Sequence, residues 1–397
     1  MTFATDEHSA LMDVVGCIES RMSRRLMMLT SEFPPGPGGI GTHAHQLALE
    51  LAKLGWQLSV FGPQDYASRD DIVAFNERQP FPVHRAPDRH RRLGGAWGAW
   101  QALREERPDV VFASGEHVVY LAAALAKLRG QRWVAIEHGW IPTKALLPMK
   151  RWAFRAADAV ISVSNYSSDK LREMGVRPRR AYTIWNGADP VRFHVRQRGR
   201  ARGKLGLGDA RLLVTVGTVS KRKGQDVAIS ALPAILAEHP STHYVMAGCP
   251  DLADELRAHA ARLGVSERVH FLGKVDNELV VDLLNDADIA LLTSRHVPEG
   301  FEGFGIAVIE AALCGTTSVV TANSGLAEAV VADETGLVVP PEDPPALAAA
   351  VNRLLADATL RTRLGDAARM RALRELTWAQ VARKYSDVLA AIAEAHA

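Results

Sequence analysis

Only 6% of the 397 residues are aromatic and only three are cysteine. Cys17, Cys249 and Cys314 are odd in number, far apart and without metal-ligand spacing, so the chain encodes no disulfide framework or zinc site. Reduced thiols in a cytoplasmic protein are expected, with Cys314 packed in a core. No apolar run reaches the roughly 18 residues that a membrane-spanning helix needs. Residues 1–21 lack a basic start, an apolar central segment and a small-residue cleavage site, and read as an extension, not an export signal. The dinucleotide fingerprint GxGxxG is not met, since Gly36-Pro37-Gly38 runs into Gly39-Ile40-Gly41 in a proline-rich loop, which counts against a dehydrogenase. No nucleic-acid module is recognisable, and no side chain stands out as an enzymic nucleophile.

A hydrophobic content of 47% over this length is ample for two cores. Net charge is nearly balanced overall but not along the chain. Residues 1–205 carry 30 Lys and Arg against 20 Asp and Glu, and the remainder 17 against 25. The excess lies in Arg85–Arg92, Arg177–Arg180 and Arg192–Lys204, so the first half suits an anionic partner such as a membrane surface or a phosphorylated acceptor, or simply forms a solvated basic face.

The most informative stretch is Val297–Gly315, which follows the apolar run Ile289–Leu292. That run is short, unbroken and closed by Thr293-Ser294, as a buried parallel strand should be. From Ile306 the sequence IAVIEAALC is a continuous helix former, and Gly315 is placed to stop it. Glu302, Gly303, Phe304 and Gly305 therefore precede a helix N-terminus, where unpaired N–H groups and the dipole favour an anion. Glu310 shares a helix face with Ile306 and Ala307. A carboxylate in such an apolar helix needs hydrogen-bond partners if buried, and a ribose diol or sugar hydroxyls would serve.

Elsewhere the pattern alternates strands and helices. Strands are expected at Arg25–Phe33, Gln57–Phe61, Val110–Ala113, Trp133–Glu137, Ala159–Ser164, Leu212–Val216, Tyr244–Ala247, Val269–Leu272, Ser318–Thr321 and Gly336–Val339. A glycine-rich loop, Pro34–Gly41, leads into a helix from Thr42 to Leu54, and its Gly38 and Gly39 let backbone approach a ligand. Strand ends in an open parallel sheet line a ligand crevice, which singles out His117 and His138. Lys221-Arg222-Lys223 before the helix at Asp226 places three cations at a helix N-terminus, an arrangement that suits a polyanion such as a diphosphate.

Glu302-x7-Glu310 with GFG between resembles the signature of the retaining nucleotide-sugar glycosyltransferases of family 4, which have the GT-B fold. The glycine loop, His138-Gly139, the segment Asn186-Gly187-Ala188-Asp189 and the basic turn agree with that family in order and spacing over residues 32–340. The resemblance implies that His138 contacts the donor sugar, that Lys223 contacts the donor's diphosphate, that Gly273-Lys274-Val275 approach the nucleobase by their backbone, that Glu302 holds sugar hydroxyls and that Glu310 holds the ribose diol. The family's arginine in this turn is replaced by Thr218, and Arg222 is the expected substitute cation.

The expected fold is α/β, two doubly wound Rossmann-like domains facing across a cleft. Expected boundaries are an extension at 1–21, an acceptor-side domain at 22–190, a linker at 191–209, a nucleotide-sugar domain at 210–377 and a helix at 378–397 that returns to the first domain. The expected activity is metal-independent, retaining hexosyl transfer from a UDP- or GDP-linked sugar to an acceptor hydroxyl. Leaving-group stabilisation falls to Lys223, Arg222, the N–H groups at Gly38-Gly39 and those of Gly303, Phe304, Gly305 and Ile306. No cofactor or metal ion is expected. A sugar-nucleotide epimerase or hydrolase and a non-catalytic nucleotide-sugar-binding subunit are the alternatives. The expected location is cytoplasmic, with peripheral contact to an anionic membrane through the basic first domain, and no nucleic-acid partner.

Overall fold

A computed structural model describes residues 24–36, 38–63, 67–86 and 92–395. The extension at 1–21 with Cys17, Pro37 and the centre of the basic run 85–92 lie outside the described residues. The chain divides into two compact units, residues 1–134 with 386–397, and residues 135–385.

Two parallel sheets carry the architecture. The first contains β1 (Arg25–Thr30), β2 (Gln57–Gly62), β3 (Val83–Arg85), β4 (Val110–Ser114), β5 (Trp133–Glu137), β6 (Ala159–Ser162) and β7 (Ala181–Thr183), in the order β3-β2-β1-β4-β5-β6-β7. The second contains β8 (Arg211–Val216), β9 (Thr242–Ala247), β10 (Val269–Gly273), β11 (Ile289–Leu292), β12 (Ser318–Thr321) and β13 (Gly336–Val339), in the order β10-β9-β8-β11-β12-β13. Strand β5 spans the boundary between the units.

The central strands are mostly apolar, as strands of a parallel sheet covered by helices on both faces are. β4, β5, β11 and β12 are buried at every residue. In the second sheet, Leu213, Tyr244, Met246, Ile289, Leu291 and Val319 pack with Leu232 and Ile235 of the Gln225–Glu238 helix and Leu347 and Val351 of the Pro344–Ala356 helix. Each fully buried Leu or Ile contributes about 1.5–3 kcal/mol relative to exposure. Thr215 is a polar exception satisfied inside the core: its hydroxyl donates to the Leu291 carbonyl at 2.7 Å and lies 2.7 Å from the Tyr244 hydroxyl.

Strand order reverses between β1 and β4 in one sheet and between β8 and β11 in the other. At such a reversal the connections leave in opposite directions, so a crevice opens beyond the carboxyl ends of the two strands. In the first unit, Ser31 follows β1 and donates from its amide to the Ser114 carbonyl at 2.9 Å, while Gly38 and Gly39 close the same loop. In the second sheet the loops that follow β8 and β11 occupy the equivalent position.

The first strand ends at Thr30, not at Phe33, because the chain leaves the sheet at Ser31 for this loop. The following helix begins at Gly39, three residues before the expected Thr42, and buries Ala44, Leu47, Ala48 and Leu51 on one face. The edge strands β3 and β7 were not evident from the sequence, since each has three residues and none is fully buried. Within residues 191–209 a short helix, Arg200–Leu205, is bracketed by Gly199 and Gly206, both at positive φ.

Candidate functional site

The residues singled out after β8 and β11 meet in the second unit. Arg222 and Lys223 lie in a one-turn 3-10 helix that follows Gly217 at the end of β8. Gly224 then takes φ +66 against the Thr293 carbonyl, where a Cβ would overlap that oxygen. The Thr293 hydroxyl donates to the Gly224 carbonyl at 2.7 Å, and the Arg295 amide to the Arg222 carbonyl at 2.8 Å. The basic turn is therefore pinned to the end of β11 by backbone contacts, which fixes where its side chains start.

Both cations converge on one carboxylate. Glu302 Oε2 accepts from Arg222 at 2.6 Å and lies 2.8 Å from Lys223 Nζ. Burial, the largest influence on this carboxyl, would raise its pKa, but the charges and hydrogen bonds of Lys223 and Arg222 outweigh it and hold the group at about 2. Glu302 is therefore ionised at every physiological pH.

The loop that carries Glu302 is threaded between two other segments at glycines. The Gly139 carbonyl accepts from the Phe301 amide at 3.0 Å, and the Glu299 carbonyl from the Ile141 amide at 3.1 Å. On the other side the Glu302 carbonyl accepts from the Gly325 amide at 2.9 Å. A Cβ at Gly139 would stand 2.7 Å from the Phe301 carbonyl, and one at Gly303 or Gly325 would overlap the carbonyl of His138 or Gly303. The spacing between the three segments thus admits backbone alone.

Gly305 turns the chain at φ +81 into the helix Ile306–Leu313, whose first turn has no side-chain cap and no acidic residue. The open N–H groups there form the anion-favouring terminus expected from the sequence. Phe304 itself is 1% exposed and its ring stacks on Trp185 at 6.0 Å, so only its backbone can face a ligand. Glu310 lies on the partly open face with Ile306 and Ala307, while Val308 and Ile309 are buried. Burial raises Glu310 to about 7, opposed by the charges of Arg192 and Lys223. Cys314 is buried, as expected, and burial pushes its thiol up to about 12, with Glu310 adding to the shift.

His138 follows β5 and is half-buried beside Gly303. Burial lowers its pKa to about 4, which makes its imidazole neutral at pH 7. His117 is exposed in the first turn of the helix Glu116–Arg129, in the first unit together with Gly38 and Gly39. Gly273 ends β10 at φ +65 and accepts at its carbonyl from the Gly248 amide at 2.9 Å, with Lys274 exposed beyond it. Thr218, at the position of the family's arginine, presents its carbonyl to Gln225 Nε2 at 3.0 Å.

Several participants were not evident from the sequence. Glu328 accepts from the amides of Asn165 and Tyr166 at 2.9 and 2.7 Å and from the Trp185 indole at 2.9 Å, so it caps the helix Asn165–Glu173 and holds the ring that backs Phe304. Glu137 and Lys150 form a buried pair beneath the His138 turn at 2.6 Å. Only their positions, a carboxylate closing a buried strand and a lysine among apolar helix residues, could have drawn attention to them. The expectation of a metal-free site also passed over Asp286-Ala287-Asp288. Asp286 accepts from the amides of Gly199 and Arg202, and Asp288 pairs with Arg202 at 2.8 Å with Arg198, Arg211 and Arg361 close by, so the first carboxylate is committed to backbone amides and the second to arginines. Among the described residues no group of three or more His, Cys, Asp or Glu side chains is placed to hold a metal ion, and no helix is long and apolar enough to cross a membrane.

Comparison with known proteins agrees with this arrangement over both halves of the chain. The profile for glycosyl transferases group 1 matches residues 197–371, and that for Glycosyltransferase Family 4 matches residues 37–192. A glycogen synthase of Mycobacterium tuberculosis is 30% identical over 92% of this chain and 94% of its own length. A GDP-mannose-dependent alpha-(1-6)-phosphatidylinositol monomannoside mannosyltransferase of Mycolicibacterium smegmatis is 29% identical over 93% and 99%. Among solved structures, Anabaena HepE in complex with UDP and glucose superimposes with a TM-score of 0.81 at 22% identity, covering 93% of this chain and all of that one. With both sheets, both family profiles and a near full-length relative in agreement, the chain belongs to glycosyltransferase family 4 and has the GT-B fold.

Proposed function

We propose that this glycosyltransferase moves a hexosyl group from a UDP- or GDP-linked sugar to an acceptor hydroxyl, with retention of anomeric configuration and without a divalent ion. The observation that carries the reading is the convergence of Arg222, Lys223 and Glu302 beside the open N-terminus of the Ile306–Leu313 helix, at the strand-order reversal of the second sheet. The names of two relatives, a glycogen synthase and a GDP-mannose-dependent mannosyltransferase, and a structural neighbour holding UDP and glucose, support the donor class.

Breaking the anomeric bond develops positive charge on the sugar ring and negative charge on the departing diphosphate. Lys223, Arg222 and the amides of Gly303 to Ile306 are the groups that stabilise the diphosphate, and each well-placed donor contributes about 3 kcal/mol. Glu302, ionised and anchored at one oxygen, holds sugar hydroxyls. Glu310 accepts from the ribose diol, His138 in its neutral form bonds a further sugar hydroxyl, and Gly273-Lys274-Val275 border the base. With no enzymic nucleophile assigned, the acceptor attacks the face from which the diphosphate leaves, and the departing phosphate takes the acceptor proton.

The basic first half of the sequence adds peripheral contact with an anionic membrane to this proposal, and the helix Leu147–Ala156 exposes Met149 and Trp152 beside Arg151 and Arg155. The test is a panel of UDP- and GDP-sugars with glucan, glycolipid and small-molecule acceptors, with product anomers assigned by NMR. A retained anomer supports the reading. An inverted anomer, donor hydrolysis without transfer, or nucleotide-sugar binding without any turnover each overturns it.

A further inference from the structure

We infer that the buried pair Glu137 and Lys150 is a positioning device that sets the His138 turn, and through it the Glu302 loop, for transfer. The inference rests on the proposed roles of His138 and Glu302.

A lysine with no exposed side-chain surface is unusual, because removing an ammonium from water is costly unless paired and hydrogen-bonded. Lys150 is such a residue, at 0%, against a Glu137 side chain at 2%. A pair serving the fold alone could be replaced by apolar side chains of similar volume with little loss. What distinguishes this one is where its remaining hydrogen bonds go. Glu137 Oε2 lies 2.6 Å from Lys150 Nζ, and its Oε1 accepts from the amides of Gly139 and Trp140 at 2.8 and 3.0 Å. Lys150 Nζ donates to the Trp140 carbonyl at 2.5 Å and sits 5.1 Å from the centre of the Trp140 ring. These contacts all fall on the three-residue turn that begins with His138.

The turn then passes its position on. Gly139, at φ +110, presents its carbonyl to the Phe301 amide, Ile141 bonds the Glu299 carbonyl, and the His138 carbonyl packs on Gly303. Glu302 lies between Phe301 and Gly303. The same two buried charges therefore set the height of His138 and one wall of the loop bearing Glu302. Releasing the Trp140 carbonyl lets the turn shift by about 1 Å while the basic turn at Arg222-Lys223, pinned separately to Thr293 and Arg295, stays in place.

The experiment compares the parent with Glu137→Gln/Lys150→Met and Glu137→Gln/Lys150→Gln. Both variants remove the two charges together and keep an acceptor for the Gly139 and Trp140 amides, so neither buries an unpaired ion. Only the second keeps an N–H donor at position 150, where the Trp140 carbonyl is bonded in the parent. The Met variant is expected to bind UDP or GDP within about threefold of the parent while kcat falls about 100-fold at similar donor KM, the loss typical of a misplacement near 1 Å. The Gln variant recovers most of that kcat. The His138 ring signal in the NMR spectrum, assigned by its absence in His138→Gln, shifts in the Met variant and returns in the Gln variant. Parent-like kcat in the Met variant, nucleotide affinity lost in step with kcat, or an unmoved His138 signal each overturns the inference. Should the parent transfer no sugar, the proposed function fails, and the His138 signal alone then decides the positioning role.

Discussion

Replacing Glu310 by Gln is expected to make the protein more stable at alkaline pH while weakening its grip on a nucleotide. Burial holds the folded-state carboxyl near 7 against an ordinary 4.5. Below pH 4.5 the group is protonated whether the chain is folded or not, and it costs nothing. As pH rises from 4.5 to 7 the unfolded chain releases the proton and the folded protein does not, so stability is lost across that window and the loss is complete above it. A difference of about 2.5 pKa units corresponds to about 3 kcal/mol at most, and partial exposure of the side chain reduces this to about 2 kcal/mol. Glutamine matches the shape, keeps an acceptor oxygen and carries no charge. At pH 8 the variant should therefore melt higher by on the order of 5 °C, and at pH 5 by about 1 °C or less. Calorimetry across pH 5 to 8 gives the comparison. A gain of the same size at every pH, or no gain at pH 8, would show that Glu310 is not a strained acid. Isothermal titration with UDP and GDP supplies the functional half: weaker binding to the Gln variant identifies the acid as kept for its ligand.

Lys223→Met and Arg222→Met should each lower kcat by about 100-fold if each cation stabilises the leaving diphosphate by about 3 kcal/mol; a parent-like Arg222→Met would reject Arg222 as the replacement for the cation missing at Thr218. Gly303→Ala should severely destabilise or misfold the protein, because the added methyl overlaps the His138 carbonyl, whereas Gly39→Ala, with nothing within 4 Å of its Cβ, should change the melting temperature by about 1 °C or less. Activity should persist in EDTA and gain nothing from added magnesium or manganese, as an initial-rate assay will show. Lowering the pH from 4.5 toward 2 should erode the stability that the Arg222, Lys223 and Glu302 cluster contributes, because a carboxyl held at about 2 contributes stability that is present above 4.5 and lost as pH falls through its folded-state value. Glu302→Gln should remove that part of the acid sensitivity in a melting series.

Much of the fold was legible because buried parallel strands are unbroken apolar runs. Trp133–Glu137, Ile289–Leu292, Ser318–Thr321 and Gly336–Val339 have the bounds that their composition suggested. The helix N-terminus at Ile306 and its stop before Gly315 were legible for a related reason, since glycines on either side mark where backbone must turn at positive φ. The edge strands β3 and β7 carry no such pattern, because an edge of three residues needs little burial. Partnerships were less accessible than elements. That Arg222 and Lys223 share one oxygen of Glu302, about eighty residues away, is a tertiary fact with no local periodicity behind it. Lys150 offered still less, since a lysine on an apolar helix reads as a solvent-facing residue until the carboxylate beneath it is seen. Glu328 offered no local signal, and its work on Asn165, Tyr166 and Trp185 lies across more than 140 residues of sequence.

The shared oxygen of Glu302 has a thermodynamic corollary. Long cationic side chains carry up to about 2 kcal/mol of rotational freedom each, which a flexible site would lose at the moment of binding. Here the carboxylate has already immobilised both of them during folding, much as a jig holds two parts before assembly. An arriving phosphate meets two cations already in place and orders little else, so its capture should cost little side-chain entropy.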